Sequence, residues 1–235
     1  MQSLSYQAQL AYKKRKVQDD LERIGGLKGI NVLDIIGAES PWYYRNKAQF
    51  PVGRNVDGGC AVGFYAKRSH RIVETPVCFL QDTCNEEVVR IVRKFMADYH
   101  IQPYDEEKHT GLVRHILTRV GKKSGELMVC IVVNGGGMPH SAELAERLRT
   151  VQGLASVVLN VNKEKTNVIL GRKIIPVWGK DTISDELDGL SFEISPLSFY
   201  QVNPAQTEIL YRKAVALAGL DGSETVLDLY CGIGT

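Results

Sequence analysis

No Cys-x-x-Cys pair occurs in the chain, and the five cysteines, Cys60, Cys78, Cys84, Cys130 and Cys231, are scattered. Such a set closes no zinc site by itself and outlines no disulfide framework. A charge excess is also missing: 29 Lys and Arg stand against 27 Asp and Glu, a net charge of +2, too small to specify a partner. No run approaches the roughly 20 apolar residues that span a bilayer. Met1-Gln2-Ser3 has neither the basic start nor the apolar centre of a signal peptide. The chain therefore reads as a cytoplasmic protein without membrane contact or disulfides.

What is present is an ordinary globular balance, 44% hydrophobic and 24% charged over 235 residues, enough for one or two cores. Residues 5–21 read as a helix, with Leu10, Val17, Leu21 and Ile24 along one stripe, Lys13-Lys14-Arg15-Lys16 as a solvated basic face, and Gly25-Gly26 to end it. Residues 85–99 form a second helix. Val88, Ile91, Val92, Phe95, Met96 and Tyr99 share a face, and Thr83 with Glu86 makes a capping-box pattern. Residues 112–120 and 127–133 predict two strands joined by the Gly121-Lys122-Lys123-Ser124-Gly125 turn. A short helix at 141–150 and strands at 156–161 and 167–170 complete an α+β module. Gly135-Gly136-Gly137 lacks a following Lys-Ser/Thr and reads as an ordinary loop.

From Ser191 the pattern changes. Phe192, Ile194, Phe199 and Val202 lie in an extended stretch, Asn203-Pro204 opens a helix with Leu210, Ala214 and Leu217 on one face, and Gly219 ends it. Residues 225–229 predict a buried strand running into Tyr230-Cys231-Gly232-Ile233-Gly234. Glycines at the carboxyl end of a strand let the backbone turn sharply and approach a cofactor closely, although purely structural turns satisfy the same pattern.

The combination is more specific. "SFYQVNPAQTEILY" ahead of "VLDLYCGIGT", together with "YYRNKAQFPVG", "VGFYAKRSHRIVETPVCFLQD", "LVRHILTRVGKKSGELMV" and "NVNKEKTNVILG", resembles the S-adenosylmethionine-dependent RNA uracil-5-methyltransferases, essentially along the whole chain. The ribosomal RNA branch, acting on 23S rRNA, is favoured over the transfer RNA branch. A non-catalytic RNA-binding module is the alternative of another class. The resemblance implies three segments: a basic helical region at 1–42, a central α+β RNA-binding domain at 43–190, and at 191–235 the start of a Rossmann-like methyltransferase domain whose remaining strands would lie beyond. The chain would thus be an internal, monomeric fragment, inactive alone, with the nucleophilic cysteine and general base downstream of Thr235.

Under that resemblance Gln201, Tyr230 and Thr235 would contact S-adenosyl-L-methionine, and Asp228, Gly232 and Gly234 would shape its turn. Gln201 could otherwise be a plain loop amide. Cys78 would be the fourth ligand of a 4Fe–4S cluster whose other three cysteines precede Met1; a small buried apolar role is its alternative. Cys84 is left structural, and Cys231 is assigned to packing. Arg45, Lys47, Lys67, Arg68 and His70 are candidates for RNA phosphate contact, against simple surface solvation. Phe199 is a candidate for stacking on an extruded base, against core packing.

Overall fold

The computed structural model describes residues 3–55 and 58–234. Two compact units divide the chain, Met1–Pro41 and Trp42–Thr235. No helix among the described residues is long and apolar enough to cross a membrane.

The first unit is a helix with a return segment laid along it. Helix α1 (Tyr6–Asp19) starts where the Ser5 hydroxyl accepts from the Ala8 N–H at 3.3 Å and continues as a wider π-type turn, Asp20–Ile24. Residues after Gly26 come back antiparallel. Gln18 Nε2 donates to the Ile30 carbonyl at 3.1 Å, Lys14 pairs with Asp34 at 2.7 Å, and the Ala38 N–H donates to the Tyr6 hydroxyl at 2.6 Å. Two lysines of the basic run are thereby engaged, Lys14 on Asp34 and Lys16 on Asp20, and no residue of α1 is buried.

The second unit is built on a seven-stranded sheet. Its strands are β1 (Lys47–Arg54), β2 (Cys60–Tyr65), β3 (Ile72–Glu74), β4 (Val113–Val120), β5 (Leu127–Val133), β6 (Leu154–Val161) and β7 (Lys173–Gly179), in the order β3-β2-β1-β4-β5-β6-β7. Neighbours are antiparallel except β5 and β6, which are parallel and are joined across helix α3 (Ser141–Leu148). A parallel pair requires such a crossover. Helix α2 (Cys84–Asp98) packs with α3 on one face of the sheet: Val88, Phe95, Met96, Leu144 and Leu148 meet Phe50, Ile116, Val129, Ile131 and Val157, all buried. The fold is therefore mixed α/β. Gly63 lets β3 close on β2, because a Cβ there would stand 2.0 Å from the Val73 carbonyl oxygen.

A hairpin, β8 (Ile183–Leu187) and β9 (Leu190–Ile194), is tied to the β4–β5 turn. The Lys123 N–H donates to buried Asp185 at 2.9 Å, and the Ser124 hydroxyl donates to the Ser184 carbonyl at 2.6 Å. Helix α4 (Pro204–Ala218) follows, capped by Asn203 on the Gln206 N–H and closed by left-handed Gly219.

Several sequence expectations need correction. Thr83 makes no capping bond; Asp82 caps α2 instead, accepting from the Cys84 N–H at 3.1 Å. Residues 167–170 are a loop, because Asn162 Nδ2 takes the carbonyls of Val168 and Ile169 that a ladder would need, and the strand forms at Lys173–Gly179. Residues 225–229 form no strand. Val226, Leu227 and Leu229 are exposed, and an extended segment gains no ladder bonds without a neighbouring strand. Leu210 and Leu217 of α4 are likewise exposed. Cys231 is exposed, not packed.

Asp82 also receives Lys122 Nζ at 2.6 Å, both side chains being largely covered. Burial acts to raise its pKa, yet Lys122 and the Cys84 N–H outweigh burial and hold it below the ordinary 3.8. Its contribution is present above that unfolded value and is lost as pH falls through the lower folded one. Asp82→Ala should cost about 2–4 kcal/mol of unfolding free energy in urea titration at pH 7. A loss equally large at pH 2 would show that the carboxylate is not what matters.

Candidate functional site

The sheet meets the 196–202 segment at the start of β1. The Asn46 N–H donates to the Val202 carbonyl at 3.0 Å, Asn46 Nδ2 donates to the Gln201 carbonyl at 2.9 Å, and the Asn46 carbonyl accepts from the Val120 N–H at 2.8 Å. Asn46 is buried, so its amide is occupied by the loop and not by water. From the next strand, Arg119 reaches the same loop: its guanidinium donates to the Pro196 carbonyl at 3.2 Å and to the Ser198 carbonyl. These bonds hold Gln201 half-buried and push Phe199 outward, where it is 70% exposed. Phe199 is thus a surface ring, and core packing is excluded for it.

Arg45 and Lys47 flank Asn46, and Lys47 is the cross-strand partner of Arg119. Among the described residues none of the three makes an ion pair. Burial, then the charges of Arg119 and Arg45, push the Lys47 amine down to about 8. Burial pushes Arg119 down to about 10, still charged at neutral pH. Three cations converge without a carboxylate, an arrangement that an incoming anion would relieve.

Lys67, Arg68 and His70 lie elsewhere, exposed on the turn between β2 and β3, with Arg68 in the left-handed region at φ 59°. His70 Nδ1 sits 2.6 Å from a Glu106 carboxylate oxygen. The five basic candidates therefore form two groups and not one cluster.

The glycine turn is recognisable but open. The Gly234 N–H bonds the Cys231 carbonyl at 2.8 Å, Asp228 accepts from the Tyr230 N–H at 2.9 Å, and Gly232 and Gly234 take positive φ, with nothing within 4 Å of where a Cβ would stand. Tyr230 is 96% exposed. Ile233 packs against the cluster of Met128, Ile183, Ile194 and Tyr200, which brings the turn to the patch adjoining Gln201. The turn leaves its backbone open to close approach and Gln201 is held through its backbone carbonyl, but among the described residues these groups do not enclose a ligand. Thr235 lies outside the described residues.

Cys78 lines a cavity of about 510 Å³ between α2 and β1–β3, beside Gln81, whose buried Oε1 has no partner. Among the described residues no three His, Cys, Asp or Glu side chains converge on a metal position. Burial pushes the neighbouring Cys84 thiol pKa up, away from thiolate character. A 4Fe–4S cluster takes about four thiolates, so the residues present do not fit it by themselves.

No family model matches the chain. Over its full length it is 48% identical to an uncharacterized RNA methyltransferase of Halalkalibacterium halodurans, covering 51% of that protein. It is 49% identical to one of Caldanaerobacter subterraneus, covering 52%. The crystal structure of Pyrococcus abyssi tRNA (uracil-54, C5)-methyltransferase in complex with S-adenosyl-L-homocysteine superimposes with a TM-score of 0.78 and 28% identity, over 98% of this chain and 52% of that one. The chain is related, end to end, to RNA methyltransferases. It spans about half the length of the curated relatives it matches.

Asn46 and Arg119 were not singled out by sequence reasoning. Arg119 carries a signal of its own as one of two arginines in β4, Val-Arg-His-Ile-Leu-Thr-Arg-Val, since a charge in a buried strand must find acceptors.

Removing the Lys47 charge should separate stability from binding. Its folded pKa lies below the unfolded 10.5, so the penalty is full below about 8 and is relieved as pH rises toward 10.5. Lys47→Met should raise the melting temperature at pH 7 by roughly 2–4 °C while weakening the binding of polyanions. A lowered melting temperature would show that Lys47 has an anionic partner in the free chain.

Proposed function

We propose that this chain forms the RNA-holding part and the first edge of the methyl-donor site of an S-adenosylmethionine-dependent RNA uracil-5-methyltransferase. The observation that carries the reading is the end-to-end likeness to a tRNA (uracil-54, C5)-methyltransferase with a bound donor product. The unpaired cations Arg45, Lys47 and Arg119 support it, because they stand beside the exposed Phe199 and the clamped Gln201. Cations without carboxylates suit RNA phosphates, and an exposed ring suits a base lifted from its stack.

In this reading the donor supplies the methyl group, and Gln201, Asp228, Tyr230 and the glycines Gly232 and Gly234 border it. Uracil C5 is a weak nucleophile. A cysteine thiolate adding to C6 would make an enolate whose C5 displaces the methyl group from the donor's sulfonium, leaving S-adenosyl-L-homocysteine, and a base removing the C5 proton would then release the thiolate. Both groups are assigned beyond the residues described, since Cys231 belongs to the glycine turn. Lys67, Arg68 and His70 would make a second set of RNA contacts on the β2–β3 turn.

The substrate is proposed to be 23S rRNA, on the motif resemblance. A second reading, transfer RNA, is favoured by the substrate of the structural neighbour. Mass mapping of uridines in a strain lacking the gene decides: loss of a 5-methyluridine from 23S rRNA is expected, loss from tRNA alone selects the second reading, and loss from neither sinks the proposal. Phe199→Ala should weaken RNA binding about tenfold with an unchanged melting temperature. An equal fall in both would remove Phe199 from the RNA site.

A further inference from the structure

The antiparallel register of β4 against β5 slips between Val113 and His115. Such a bulge carries one extra residue and re-aims side chains; here Arg114 and His115 line the same cleft. The cleft has a volume of about 290 Å³ and is walled by Tyr65, Tyr104, His70, Glu106 and the loop 165–169, close to the lower end, on the order of 300 Å³, of small-ligand sites. Arg114 is 3% exposed and His115 5% exposed. The Arg114 guanidinium centre lies 4.5 Å from the Tyr104 ring centroid, and its N–H groups reach the carbonyls of Asn162 at 2.9 Å, Glu164 at 2.8 Å and Thr166 at 3.4 Å. Arg114 Nε and His115 Nδ1 are buried without partners, and among the described residues His115 makes no side-chain hydrogen bond. An unpartnered buried imidazole is costly, and it marks the floor of a place built to be filled.

The walls restrict what can fill it. Glu106 stands at the mouth, accepting from the Tyr65 hydroxyl at 3.0 Å and bound to His70 at 2.6 Å. A carboxylate there repels a phosphate and leaves lone pairs for an N–H donor. Burial and the neighbouring Arg114 charge push His115 down to about 4, so the floor is a neutral ring. Tyr65, Val168 and Ile169 present apolar surface. Aromatic and apolar walls with an acceptor at the rim match a single unstacked base recognised by its edge. His115 is four residues along β4 from Arg119, about 13 Å at strand spacing, within reach of neighbouring nucleotides of one strand.

We propose that the cleft between Tyr65, Glu106 and the Arg114-His115 bulge receives one amino-bearing nucleobase flanking the uridine to be methylated, with Glu106 accepting from its amino group. The assignment rests on the RNA reading above. It is tested on the full chain with single-stranded RNA octamers centred on uridine, either all uracil or with one adenine, cytosine or guanine at each flanking position in turn. At least one amino-bearing octamer should bind about tenfold more tightly than the all-uracil one, and Glu106→Ala, which removes the acceptor, should erase that preference to within about twofold. Glu106 is partly exposed, so this variant keeps the fold. Tyr65→Ala should weaken the preferred octamer and spare the all-uracil one. Equal binding of every octamer by the wild type, or a preference that survives Glu106→Ala, overturns the cleft and leaves the RNA reading standing. Binding of no octamer by the folded chain overturns both.

Discussion

Asn46 carries the architecture of the site. One buried amide takes the Gln201 carbonyl while its own backbone N–H and carbonyl bond Val202 and Val120, so the residue just before β1 and the segment bearing Gln201 and Phe199 are fixed together. Arg119 repeats the constraint one strand over through the carbonyls of Pro196 and Ser198. A loop held by a side chain at the start of β1 and another from β4 has little freedom to choose another path, and hydrogen bonds so enclosed are costly to leave unmade. The outward placement of Phe199 follows from this anchoring.

The same anchoring concentrates charge. Arg119 must enter the loop to satisfy its carbonyls, and β-pairing then sets Lys47 beside it, with Arg45 close in sequence. A half-buried lysine next to a buried arginine works against stability, a conflict that a bound anion would relieve. Local rules broken without compensation in the free chain tend to mark sites of function. The β4 bulge is the second such place: it interrupts a well-paired ladder, and among the described residues His115 Nδ1 is buried without a partner.

The glycine turn shows the opposite situation. Its residues have the dihedral angles expected of a close-approach turn, but Val226, Leu227 and Leu229 gain no neighbouring strand and stay exposed. Alternation of apolar residues specifies which face a strand would bury. It does not supply the partner whose N–H and C=O groups make a strand worth forming.

Local chemistry was legible in the amino acids alone. The α2 apolar face, the hairpin around residues 121–125, the Asn203-Pro204 start and Gly219 end of α4, and the motif pairing that points to an RNA methyltransferase depend on periodicity, capping and turn residues acting over a few positions. Long-range consequences were not legible. That Arg45 and Lys47 part company with Lys67, Arg68 and His70, that Asp82 displaces Thr83 as the cap, and that Asn46, Arg119 and the Arg114-His115 bulge build the two polar sites all depend on which strands become neighbours. Sheet order and register set those meetings by burying the shared core, and they bring together residues that the chain itself keeps scores of positions apart.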